Sequence, residues 1–212
     1  MNRPGKSEKS GPVNHAAPQR ISLVLAPDLI PRFFIFLRQG VELEGQVGCS
    51  ARAFLCGQYG LSPEYLDERI QTMFLDGRPV DDVDSAMIRS GSRLALSAAM
   101  PGLAGATLRK GGFYAGLRSG ISFRGETTPP SKGRGKIVLK LFNRVAQDLG
   151  PALLEKGVWI KGRELGHFLL RESDDFRAGC EALRVDGQEA DLDRLSHVKW
   201  TEKRVFVRVR SR

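Results

Sequence analysis

Apolar and polar side chains alternate along this chain in short runs punctuated by glycine-rich turns. Ile21-Ser22-Leu23-Val24-Leu25 and Val41-Glu42-Leu43-Glu44-Gly45 have the two-residue period of strands with one wet face. Phe33-Phe34-Ile35-Phe36-Leu37, broken by Gly40, is apolar throughout and fits strand or helix. Between Cys49 and Tyr59, the residues Ala51, Phe54, Leu55 and Tyr59 fall at helical spacing, with Gly57 and Gly60 as stops. Ser62-Pro63-Glu64 joins a capping serine, a proline at the first helical position and an early acid, predicting a short helix. Ile70 to Leu75 predicts a strand and Asp76-Gly77 a tight hairpin turn. Arg93-Leu94-Ala95-Leu96 closes the unit after the Ser90-Gly91-Ser92 turn.

The second half repeats this order from Ile137-Val138-Leu139-Lys140-Leu141 onward. Leu153-Leu154-Glu155-Lys156-Gly157-Val158-Trp159-Ile160-Lys161-Gly162 parallels Phe36-Leu37-Arg38-Gln39-Gly40-Val41-Glu42-Leu43-Glu44-Gly45, with both glycines and the Val-x-aliphatic strand in step. Leu165, Phe168 and Leu169 repeat the spacing of Ala51, Phe54 and Leu55. Val185-Asp186-Gly187 echoes Leu75-Asp76-Gly77, and Val205-Phe206-Val207 answers Leu94-Ala95-Leu96. The expected organisation is a flexible tail (1–19), a first α+β domain (20–98), a basic Gly-rich connector (99–136) and a second, related α+β domain (137–212). In the connector, Leu108, Phe113, Tyr114 and Leu117 suggest one amphipathic helix, followed by a Thr127–Gly133 linker.

At 41% hydrophobic and 27% charged residues the composition is that of a globular protein. The net charge of +9 is uneven: +3 over residues 1–20, −3 over 21–97, +6 over 98–136 and +3 over 137–212. Basic segments of this kind attract polyanions without specifying them. No apolar run is long enough for a transmembrane helix, and no apolar core follows the basic start, so a cytoplasmic protein without membrane partners is expected.

The strand, strand, helix, short helix, strand, turn, strand order suggests a β-grasp. Gly60-Leu61-Ser62-Pro63, Phe74-Leu75-Asp76-Gly77-Arg78-Pro79-Val80 and Arg89-Ser90-Gly91-Ser92-Arg93-Leu94-Ala95-Leu96 resemble the second half of the ubiquitin-like sulfur carriers of molybdopterin and thiamine synthesis. The resemblance spans about residues 21–105 and implies two related β-grasp (ubiquitin-like) domains joined by the connector. Carrier chemistry needs a free C-terminal Gly-Gly. Here Gly111-Gly112 is internal, so a carrier role would require processing after Gly112.

Candidate chemistry is sparse. Cys49 and Cys56 are two helical turns apart and read as small buried residues rather than a redox pair; Cys180 stands alone. His15, His167 and His197 are scattered, without metal spacing. Asp81, Asp82 and Asp84 lack the glycine and distal glutamate of a calcium loop and read as a solvated rim. The connector glycines lack the Walker and dinucleotide-binding patterns. No nucleophile–base set stands out, so the chain leans away from enzymes, and no cofactor is expected. Two basic sets remain as anion- or partner-binding candidates: Arg109, Lys110, Arg118 and Arg124 in the connector, and Arg204, Arg208 and Arg210 on one face of the last strand. These lead to a non-enzymatic adaptor with an unknown protein partner. The alternatives are a nucleic-acid-binding module using connector and last strand, and the processed carrier.

Overall fold

The computed structural model describes residues 19–125, 131–196 and 198–212. The expected tail except Gln19, His15, most of the Thr127–Gly133 linker and His197 lie outside them. The strands are β1 (Arg20–Leu25), β2 (Val41–Val47), β3 (Cys49–Ser50), β4 (Thr72–Leu75), β5 (Arg78–Pro79), β6 (Met87–Ile88) and β7 (Arg93–Ser97), then β8 (Gly133–Leu141), β9 (Val158–Lys161), β10 (Cys180–Val185), β11 (Gln188–Ala190) and β12 (Arg204–Ser211). The principal helices are α1 (Phe34–Gln39), entered through a 3-10 turn over Pro27–Phe33, α2 (Gly102–Leu108), α3 (Asn143–Lys156), α4 (Gly162–Leu169), α5 (Asp174–Ala178) and α6 (Leu192–Ser196). Short π-helical turns cover Ala53–Gln58 and Tyr65–Arg69, and a 3-10 turn covers Phe113–Arg118.

Among the described residues, ten strands form one mixed sheet in the order β11-β10-β1-β12-β9-β2-β8-β7-β4-β5. The expectation of two separate β-grasp domains is therefore overturned. The order of elements does recur in the two halves, but neither half keeps its strands to itself. The first strand, β1, lies between β10 and β12 of the second half, and β8 lies between β2 and β7 of the first. Each transfer is made by a strand–helix–strand crossover. β1 is parallel to β12, which is antiparallel to β9, itself antiparallel to β2; β1 and β2 thus run the same way and need the crossover helix α1. By the same logic α3 links β8 to β9, both antiparallel to β2.

The two crossover helices cover one face of the sheet. α1 and α3 pack on each other, and α3 also packs on β12, β7 and β8. A Cβ on Gly150 of α3 would lie 2.7 Å from the Phe34 ring and 3.0 Å from Leu37, so glycine sets how closely the helices approach. Beneath them, Ile21, Leu23, Val41, Leu43, Ile137, Leu139, Val158, Ile160, Val205 and Val207 are all at most 2% exposed, a core shared by both halves. Removing such side chains from water drives the fold.

Two equivalent hairpins frame the sheet. Asp76-Gly77 and Asp186-Gly187 all have φ between 51° and 85°, the conformation of the predicted tight turns. The Asp76 carboxylate accepts from the Arg93 N–H (2.7 Å) and the Asp186 carboxylate from the Gln19 and Arg20 N–H groups (3.0 and 2.8 Å). Each aspartate thus pins the start of the strand next to its hairpin: β7 in one case, and in the other β1, from the opposite end of the chain.

The connector is not a free linker. β7 and β8 are parallel neighbours, and the described residues 98–125 belong to the crossover that such a pair requires. The single amphipathic helix expected there is replaced by α2 and the separate 3-10 turn, which pack on each other. The Phe123 N–H donates to the Pro79 carbonyl (2.7 Å), covering the edge strand β5.

Candidate nucleic-acid interface

Among the described residues, no helix packs over the central strands on the sheet face opposite α1 and α3. Paired residues place a row of side chains across it: Arg20 on β1, Phe206 on β12, Trp159 on β9, Glu42 on β2, Val138 on β8 and Arg93 on β7. Alternation puts these side chains outward because their neighbours Ile21, Val205, Val207, Val158, Val41, Leu139 and Leu94 point into the core.

Trp159 and Phe206 meet edge to face, with ring centroids 5.3 Å apart and planes at 65°. The Arg20 guanidinium lies 5.3 Å from the Phe206 centroid and the Lys136 ammonium 4.4 Å from that of Trp159. Both distances suit cation–π attraction. Gly157, at φ +101°, makes room for this pair, since a Cβ there would lie 2.2 Å from the Phe206 ring. Arg20, Tyr59, Arg134, Lys156, Trp159 and Phe206 line a groove of about 490 Å³. Two and four residues further along the same strands, Ser22 and Arg208, then Arg210, line a second groove of about 470 Å³ with Arg184. Both grooves are lined by residues of β1 and β12.

Acids on this face are partly neutralised. Glu42 pairs with Arg204 at 2.9 Å and Glu44 with Arg134 at 3.6 Å. Glu189, beside the second groove, lies 3.6 Å from Arg184. Arg208 donates a long bond of 3.5 Å to the Lys156 carbonyl, and both Arg208 and Arg210 are exposed.

The two basic sets found in the sequence do not come together. Arg204, Arg208 and Arg210 share the open face, as alternation predicts. The connector set sits at the β5 edge, six strand spacings from β12, roughly 30 Å away. Within it, Arg118 is 4% exposed. It reaches both Asp81 carboxylate oxygens at 2.9 and 2.6 Å, as well as the Thr107 carbonyl (2.7 Å) and the Ser122 hydroxyl (2.6 Å). Arg118 is thus a structural clamp. Lys110 is half-buried and donates to the Leu66 carbonyl at 2.8 Å, and burial lowers its pKa. Arg109 and Arg124 remain exposed, Arg124 donating to the Ser119 carbonyl at 3.3 Å. The Gly111 N–H donates to Asp81 at 2.9 Å, and Gly112 turns back on the Arg109 carbonyl at 3.1 Å.

The other candidates disperse. Asp81 holds Arg118, Asp84 pairs with Arg52 at 2.9 Å, and Asp82 accepts the Asp84 N–H at 2.9 Å. Cys49 stands on β3 rather than on the helical turn that carries Cys56, and burial raises the pKa of both thiols and of Cys180. Among the described residues no three His, Cys, Asp or Glu side chains gather as metal ligands, and no helix is long and apolar enough to cross a membrane.

Sequence reasoning missed Trp159, Arg20, Lys136 and Lys156. A signal for Trp159 was present: in Val158-Trp159-Ile160-Lys161 it alternates onto the wet side. What the sequence hid is that β9 and β12 are neighbours. Comparison with family models, with curated proteins and with solved structures finds no match.

Proposed function

We propose that this protein binds single-stranded nucleic acid on the open face of its sheet. The observation that carries this reading is the Trp159–Phe206 pair, flanked by Arg20 and Lys136 and continued along β12 by Arg208 and Arg210. Unpaired bases offer free π-faces to aromatic side chains, while arginine and lysine take up the phosphates. A duplex keeps its bases stacked inside and offers this face only its backbone. The processed-carrier alternative has less support, because Lys110 and Gly111 are tied to Leu66 and Asp81.

Fluorescence anisotropy with a labelled single-stranded oligonucleotide tests the reading. Trp159→Ala should weaken binding by about 5- to 100-fold, the value of one stacked base. Arg208→Ala should weaken it regardless of sequence and flatten the salt dependence by about 0.7 in log–log slope. No binding of RNA or DNA at low salt, or wild-type affinity in Trp159→Ala, would sink it.

A further inference from the structure

The connector exposes large apolar side chains that the fold does not use. Phe113 is 95% exposed, Leu117 76%, Leu103 74%, Ile121 62% and Tyr114 43%. Isolated exposed apolar residues are ordinary, but here five fall within 19 positions, four on the packed α2 and 3-10 turn and Ile121 just beyond, and together they make an apolar ridge. Small residues separate them: Ala104, Gly105 and Ala106 follow Leu103, and Ala115 and Gly116 precede Leu117. The apolar groups therefore stand out singly from a low backbone.

This ridge is held in place. Arg118 clamps it to Asp81, Lys110 ties it to Leu66 and Gln71, and Phe123 ties it to Pro79. These ties hold the backbone of the ridge against the body of the protein, which lowers the entropic cost of binding.

The charge around it narrows the partner. Residues 98–125 contain Arg109, Lys110, Arg118 and Arg124 and no acid. Arg118 is engaged by Asp81, while Arg109 and Arg124 are exposed. Two copies joined through this ridge would oppose cations to cations. A surface that is negative outside and apolar just beneath satisfies both features, and aromatic side chains favour the level of lipid headgroups.

We infer that the connector ridge docks this protein peripherally on an anionic lipid surface, with Phe113, Leu117 and their neighbours dipping below the headgroups and Arg109 and Arg124 at headgroup level. It does so at the end of the molecule remote from the aromatic face of β12, so the inference is independent of the nucleic-acid reading.

Co-sedimentation of the full chain with vesicles tests this, using phosphatidylcholine alone and phosphatidylcholine with about 30 mol% phosphatidylserine. Binding is expected to the anionic vesicles only. The Phe113→Ser/Leu117→Ser double variant should lose about tenfold or more in partitioning, at an unchanged melting temperature because both side chains are exposed. Trp159→Ala should bind vesicles like the wild type. Failure to sediment with anionic vesicles at low salt overturns the inference, and an apolar acceptor on another protein then becomes the reading of the ridge. Undiminished binding by the double variant also overturns it, since general basicity would suffice. So does an ultracentrifugation result in which the wild type is a dimer and the double variant a monomer.

Discussion

Single residues in this protein act through the space they leave as much as through the groups they carry. Gly157 is the clearest case, because its positive φ and the nearby Phe206 ring both exclude a side chain. Gly157→Ala should destabilise the fold by about 1–3 kcal/mol through strain and overpacking. It should also push Phe206 away from Trp159 and weaken oligonucleotide binding. Gly77, at φ +81°, has open space where a Cβ would stand, with nothing within 4 Å, so Gly77→Ala carries backbone strain alone. Thermal melts paired with anisotropy separate the two: both variants should melt lower, and only Gly157→Ala should lose affinity. Equal affinity in the two would show that Phe206 need not stay where it is. Tyr65 shows the same sensitivity to surroundings in its chemistry, its phenol being pushed up to about 12 by burial and by its hydrogen bond to Asp148.

At the scale of elements, the Arg118–Asp81 ion pair is one of several ties that hold the connector crossover, and the one that titrates at low pH. Burial alone would raise the pKa of Asp81, but hydrogen bonds from Arg118 and the Gly111 N–H outweigh it and hold the carboxyl below the usual range. A depressed carboxyl pKa adds stability that is complete above the unfolded value of about 3.9 and is lost as pH falls through the lower folded value. The Asp81 side chain keeps 37% exposure, so solvent screening reduces this contribution below that of a fully buried pair. Amide exchange at Lys110 and Gly111 should therefore accelerate as pH drops below about 3.9, after correction for intrinsic rates. Asp81→Asn should show faster opening already at neutral pH and no such step. A step that survives in Asp81→Asn would assign it to another group.

At the scale of the whole molecule, interleaving makes the halves interdependent. β1 has only second-half strands as neighbours, and β8 only first-half strands. Cutting between residues 125 and 131 should give two fragments that are unfolded alone and regain the native circular dichroism spectrum when mixed. The intact chain should unfold in one transition, with calorimetric and van't Hoff enthalpies in agreement. Two separated transitions, or a folded fragment 131–212, would contradict a shared core.

Much of the element map was legible in the sequence because it depends on neighbours along the chain. The alternation of Ile21–Leu25, Val41–Gly45 and Val205–Val207 does mark strands, and Ser62 does accept the Tyr65 N–H, at 3.1 Å, at the start of a helical turn. Asp76-Gly77 and Asp186-Gly187 form the turns their φ preferences require. The ambiguous Phe33–Leu37 run resolves as helix, because a crossover from β1 to the parallel strand β2 needs one. Which strands pair was not legible. Alternation fixes which side chains share a face but carries no address for the neighbouring strand, so a repeated order of elements was compatible with two sheets or one. The tertiary structure made that choice by passing β1 and β8 into opposite halves. The same choice set Trp159 beside Phe206 and gave the buried Arg118 a structural role that its sequence surroundings, rich in glycine and exposed cations, did not reveal.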